Sequence, residues 1–180
     1  VDPRYIDHVV ERVVAAVRQA DRQAAPVRAG YGTARLEGLL ADSRLPEVYD
    51  DVLRVVTFRR SEGDQFAGVL LQWNCHPEVL GRGNRQITAD FPAATVSYLK
   101  KRYHCPIVYF SGAVGGLMTP PEGKYVNESG GVLADESFES ARRYGEEVGQ
   151  GATRAIAAAE PIELTPLAWR VKRIAVPLDN

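Results

Sequence analysis

The sequence predicts an α/β fold, a layered mixed β-sheet flanked by helices, and three observations carry that expectation. Apolar runs of strand length and stripes at helical spacing intersperse along the chain. Two of the runs, at 52–58 and 66–73, are joined through Ser61-Glu-Gly-Asp-Gln65, a turn-forming spacer that makes them a hairpin and the sheet mixed rather than purely parallel. The 180 residues, 45% of them apolar, suit one domain with a core of ordinary size.

Asp2 and Pro3 are a helix start, a capping side chain followed by a residue that needs no N–H in the first turn. Ile6, Val9, Val10, Val13 and Val17 then recur on one face, with Arg4, Glu11, Arg12 and Arg18 outside it and His8 near its edge as a surface or packing residue. Residues 26–34 read as a strand interrupted by glycines, and 35–51 has no sustained period. After the hairpin, 81–85 is a loop. Asp90 then caps a helix with Pro92 in its first turn, which runs through Ala94, Val96, Leu99 and Tyr103. Lys100, Lys101 and Arg102 end that helix, where positive charge suits its C-terminal dipole.

Cys105-Pro-Ile-Val-Tyr-Phe110 is the next strand. The stretch 119–131 lacks a hydrophobic period and has the character of a lid or binding loop. A helix whose face holds Phe138, Ala141, Gly145, Val148, Ala152, Ile156 and Ala159 follows, with Pro161 as its end, and 167–176 is expected to return to the sheet as a strand. No internal repeat, low-complexity stretch or domain boundary divides the chain, so residues 1–180 read as one domain.

Acidic and basic residues nearly cancel, to a net charge of −1, which argues against a nucleic-acid footprint and against a polybasic membrane patch. No apolar run approaches the length of a membrane span, and no signal peptide is visible. Cys75 and Cys105 lie beside runs expected to be neighbouring strands; a disulfide and two free buried thiols are both open readings. Asn127-Glu128-Ser129 fits a glycosylation pattern.

Polar clusters gather between Gln72 and Pro121. His76 follows the run Phe66–Trp73 and so stands at the mouth of a strand, where an imidazole can bind a metal; Asn74 and Glu78 flank it as groups able to orient the ring. A structural histidine is the competing reading. Cys75 adjoins His76, but neighbours on an extended chain point to opposite faces, which argues against a thiol-imidazole dyad. Phe110-Ser-Gly-Ala-Val-Gly-Gly116 breaks from a strand into small residues. Its consecutive amides could form an anion pocket or oxyanion hole suited to amide or ester hydrolysis, or simply a tight strand exit.

Asn74-Cys-His-Pro77, Thr88-Ala-Asp90 with Phe91-Pro92, and Gly112-Ala-Val-Gly-Gly-Leu-Met-Thr119 together resemble the motifs of the neutral/alkaline, non-lysosomal ceramidases and their bacterial relatives. Ser43-Arg-Leu-Pro46 with Tyr49 resembles a fourth motif of that family. The resemblance implies a zinc-dependent hydrolase of a linear amide, N-acylsphingosine or a related lipid amide, in which His76 is one zinc ligand. It also implies that Arg44, Gly112, Gly115 and Gly116 face the substrate and that Asp90, with Asn74, supports the site. The family's catalytic serine falls on Met118, whose thioether cannot act as nucleophile; the adjacent Thr119 carries a hydroxyl, one residue out of register.

The family's other zinc ligands have no counterpart here, and the resemblance therefore implies an internal fragment of the N-terminal catalytic domain, inactive by itself, from a secreted or periplasmic parent. Two other readings stand beside it. One is a non-catalytic relative that binds a lipid or sugar-like ligand through the same cleft, and the other is a structural scaffold.

Overall fold

The computed structural model describes residues 2–42, 44–115, 118–125, 130–131, 136–166 and 168–175. Helix α1 (Pro3–Arg22) starts as its sequence demands, the Asp2 carboxylate accepting the Arg4 N–H at 2.9 Å and Pro3 opening the first turn. None of its residues is buried.

Five strands make the main sheet. β1 (Val27–Arg35), β3 (Val52–Arg60) and β4 (Phe66–Trp73) run antiparallel in succession, β5 (Ile107–Ser111) lies parallel to β4, and β7 (Glu160–Ile162) pairs with the outer side of β1, in the order β5-β4-β3-β1-β7. The hairpin forms as predicted, with Thr57 opposite Val69 and a register shift at Phe58/Arg59. Parallel strands need a crossover, and α2 (Phe91–Tyr103) supplies it between β4 and β5. A second, two-stranded sheet joins β2 (Ala41–Asp42) to β6 (Met118–Thr119). The mixed α/β sheet flanked by helices is thus the observed architecture.

The period of two along the strands sends Leu53, Val55, Val69, Leu71, Trp73 and Ile107 to one face, where α2 and α3 (Phe138–Ala157) cover them. From α3 come Ala141, Tyr144, Val148, Ala152, Ala155 and Ile156, a stripe at helical spacing that includes most of the face the sequence marked. Phe138 remains exposed and Ala159 lies beyond the helix. Gly32 of β1 meets the backbone of Ala155, so close that any β-carbon there would collide with it, and this is what lets α3 lie directly on the sheet.

One buried polar chain crosses the core. The Trp73 indole N–H donates to the Tyr144 hydroxyl (3.0 Å), which donates to the Leu39 carbonyl (2.6 Å); the Phe91 ring meets Tyr144 edge-on at 4.7 Å. Strand, helix and the 36–40 turn are tied together by groups that would each be costly to bury alone.

Two sequence expectations are corrected, those for Pro161 and for 167–176, and one aperiodic stretch gains structure. The aperiodic 35–51 stretch holds β2 and three core leucines, Leu36, Leu39 and Leu40, which anchor it by position rather than by period. Pro161 lies within β7 rather than ending α3. The expected strand at 167–176 does not form among its described residues: 168–175 are exposed, and the edge of β1 is instead met by β7. Ser43, Gly116, Leu117 and Asn127–Ser129 lie outside the described residues.

Tyr144→Phe leaves the indole N–H and the Leu39 carbonyl unpaired, so we expect a loss of about 1–3 kcal/mol in urea unfolding, with the fold retained by circular dichroism.

Candidate functional site

β4 and β5 end side by side, and ligands of parallel sheets bind beyond the carboxyl ends of such strands. The exit of β4 is Asn74-Cys75-His76 and that of β5 is Gly112-Ala113-Val114-Gly115, so two of the sequence clusters meet at one end of the sheet. The far end of the second cluster returns through the backbone: His76 N–H donates to the Met118 carbonyl at 2.9 Å, which places the β2–β6 pair against the His76 loop.

Asn74 organises the place. It is 1% exposed; its side-chain oxygen accepts from Ala113 N–H (2.9 Å) and from the Gln72 amide (3.1 Å), while its own amide donates to the Asp50 carbonyl (2.9 Å). Gly112 N–H is taken by the Trp73 carbonyl at 3.0 Å. Gly112 is glycine because a β-carbon there would strike the side chains of Asn74 and Gln72. The amides of Gly112 and Ala113 are therefore spent on holding the two strand exits together, and the oxyanion reading does not extend to them. Asn74 bonds the Gln72 side chain and the backbone of Ala113 and Asp50, and among the described residues none of its bonds reaches His76. Gly115 is exposed with open space beside it.

Asp90, 9% exposed, accepts from Val79 N–H (3.1 Å), Leu80 N–H (2.9 Å) and Phe91 N–H (2.7 Å). It sits at φ 55°, and its carboxylate staples the 78–80 turn to the start of α2. Arg44 is exposed, its backbone N–H bonded to the Asp42 carboxylate at 3.0 Å, in the turn that follows β2. Because Asp42 pairs with Met118, that turn lies near the same end of the sheet.

Met118 is 6% exposed and its side chain belongs to the core, whereas Thr119 lines a crevice of about 520 Å³. Glu78, Arg82, Glu122, Tyr125 and Glu136 also line that crevice. Three carboxylates against one guanidinium favour a donor-rich or cationic group over an anion. Burial, and after it the Glu147 charge, pushes the Tyr125 phenol above its ordinary range; its hydroxyl oxygen is buried, although the residue lines the crevice. The sequence reading missed Glu122, Tyr125 and Glu136. They sit on an irregular segment where no period or spacing marks them, and only proximity to the His76 loop does.

Cys75 and Cys105 are both free and buried. Burial pushes the Cys75 thiol up to about 12, and its sulfur donates weakly to the His76 carbonyl at 3.5 Å. A neutral, inward thiol is no nucleophile and no ready metal ligand. Among the described residues no group of three His, Cys, Asp or Glu side chains converges as a metal site. His76 is half-buried, Asp90 has three N–H partners and Cys75 is protonated, so the described residues by themselves do not fit zinc, which takes three protein ligands or more.

Asn74→Ala should free the Ala113 amide, and hydrogen exchange at Ala113 should rise by an order of magnitude or more while that of core strand amides such as Leu71 holds. The raised Cys75 pKa has a defined sign. Below about pH 9 its contribution to stability is complete, and as pH climbs from there toward about 12 the unfolded thiol ionises first and the contribution is lost. Native protein should resist iodoacetamide at Cys75 at about pH 8 and react once unfolded by urea.

No family model matches the chain, and no curated protein matches it. Solved structures do. The neutral ceramidase from Pseudomonas aeruginosa superposes with a TM-score of 0.69 at 16% identity, over 84% of this chain and 26% of that one. A structure described as ceramidase complexed with C2 superposes with a TM-score of 0.60 at 17% identity, over 74% of this chain and 22% of its own length. The chain therefore spans about a quarter of these structures. At such identities the likeness is one of fold: this is a ceramidase-like α/β fold.

Proposed function

We propose that the chain is part of the catalytic domain of a ceramidase-like hydrolase that cleaves a linear lipid amide. The crevice beside Thr119 and the His76 loop is the place where the amide and its polar neighbours bind. The carrying observation is that the two separated clusters at 74–78 and 112–119 come together at the ends of β4 and β5, with Asp90 bonded to the 79–80 turn beside them, in a fold shared with ceramidases. The carboxylates of Glu78, Glu122 and Glu136 would accept from hydroxyl, ammonium or amide N–H groups of the ligand, and the Arg82 guanidinium would donate to an acyl oxygen. Arg44 and Gly115 stand at the rim as further contacts. Gly116 belongs to the same loop, outside the described residues. Zinc enters this reading through His76 as one ligand, with the others drawn from outside the described residues, and export of the parent protein belongs to the same reading.

A second reading has its own observation. Met118 fills the place that resembles the family's serine and turns into the core, so that position supplies no hydroxyl. A relative that binds a lipid or sugar-like ligand without cleaving it fits that fact.

Elemental analysis of the protein at its full natural length, with and without His76→Ala, separates the two together with an assay on a fluorescent N-acyl amide. About one zinc in the wild type, lost in the variant along with turnover, is the expected result. Ligand binding without turnover, and no zinc in either protein, would establish the second reading. Thr119→Ala tests the neighbouring hydroxyl: a fall in kcat of about a hundredfold or more marks it as catalytic, and an effect confined to KM marks it as a contact.

A further inference from the structure

The helical side of the sheet carries a second opening, separate from the crevice beside Thr119. Where α2 packs on α3, a trough of about 580 Å³ runs between them, with Ala93, Ala94, Ser97 and Tyr98 along it. The helices approach closely because α3 has Gly145 and Gly149 there: a β-carbon would strike Ala94 at the first and the Tyr98 ring at the second. A smaller recess shares Ala93, Ala94 and Arg142 with the trough and continues its apolar lining through Leu80, Ala141 and Phe138, the last 54% exposed. The other end is cationic. Lys101 and Arg102 line it, and neither has a carboxylate partner among the described residues. Arg142 is already paired with Glu139 and Glu146, each at 2.6 Å. Three cations against the one carboxylate of Glu146 leave the lining positive, with the surplus at one end. The C-terminal dipole of α2 offers only about half a negative charge against Lys100, Lys101 and Arg102 together.

We propose that this trough binds a fatty carboxylate, its chain lying along Ala93, Ala94 and Tyr98 toward Phe138 and its head between Lys101 and Arg102. A guanidinium fork holds a carboxylate through two parallel N–H donors, and a neighbouring ammonium adds a point charge. The volume lies within the range of small-molecule sites, about 300–1,000 Å³. Polarity confined to one end decides between an amphiphile and an acidic helix. A peptide with charge along its length would meet Glu139 and Glu146, whereas a single charged head meets only Lys101 and Arg102. The trough uses no residue of the crevice at Thr119, so this inference stands or falls apart from the hydrolase reading, and its test reads binding rather than turnover.

Calorimetric titration of the full chain with dodecanoate, kept below its micelle concentration, tests it. We expect one bound chain per protein, held at least about tenfold more tightly than octanoate because more methylenes are buried. The double variant Lys101→Glu with Arg102→Glu removes the charged hydrogen bonds and should weaken binding about tenfold or more. Ser97→Trp, which puts a ring into the trough, should weaken it as much. These positions are exposed on α2, and circular dichroism checks that the fold is kept; should the charge reversal unfold the chain, Lys101→Gln with Arg102→Gln replaces it. No binding to the wild type, or equal binding in either folded variant, would overturn the proposal. Dodecyltrimethylammonium bound as tightly, and weakened equally by Ser97→Trp, would also overturn it, as would an acidic amphipathic peptide that binds there when dodecanoate does not.

Discussion

Asn74 is the constraint on which the site depends. It is a buried amide at the point where the sheet stops, and a side chain with two kinds of hydrogen-bonding group has to be matched on both sides before it can be buried without cost. Its oxygen is matched by Ala113 and Gln72, and its amide by the carbonyl of Asp50. The exit of β4, the exit of β5 and the entry to β3 are therefore fixed relative to one another by one residue. Trp73, its neighbour, does the equivalent work in the core by bonding Tyr144. Together these adjacent residues hold the loops to the sheet and the sheet to α3.

From that arrangement the division of labour among the loop residues follows. Backbone groups that a chemist would nominate as oxyanion donors, at Gly112 and Ala113, are occupied with structure, and so is the Asp90 carboxylate. What remains around the crevice is Thr119, Arg82 and three glutamates, with the Tyr125 residue lining it but its hydroxyl buried. A binding place shaped by three carboxylate acceptors and one guanidinium is suited to a neutral or cationic polar group flanked by apolar chain, which is the character of a lipid amide.

The architecture is economical about where it spends its apolar surface. Gly32 and the small residues of α3 bring helix and strand into close contact on one side of the sheet, so that side is a dry core. The other side carries the row Tyr31, Val56, Leu70 and Val108, with Arg35 and Arg54 paired to Asp51 and Asp50 beside it.

By itself the sequence determined the mixed α/β class, the hairpin, the Asp2 and Asp90 caps, the helix between β4 and β5 and half of the buried face of α3. Each of these rests on local chemistry: a side-chain period of two or 3.6, a turn, or a cap. It also picked out Asn74, His76, Asp90 and Thr119 as residues of one region. Only the tertiary structure decided what they do. That Asn74 bonds Ala113 and Asp50 rather than a ring, that Asp90 staples a turn, that Met118 faces the core and Thr119 the crevice, and that 168–175 is no strand all depend on partners many residues away. Periodicity states which face a residue occupies, but hydrogen-bond satisfaction and packing are settled only when that face meets its partner.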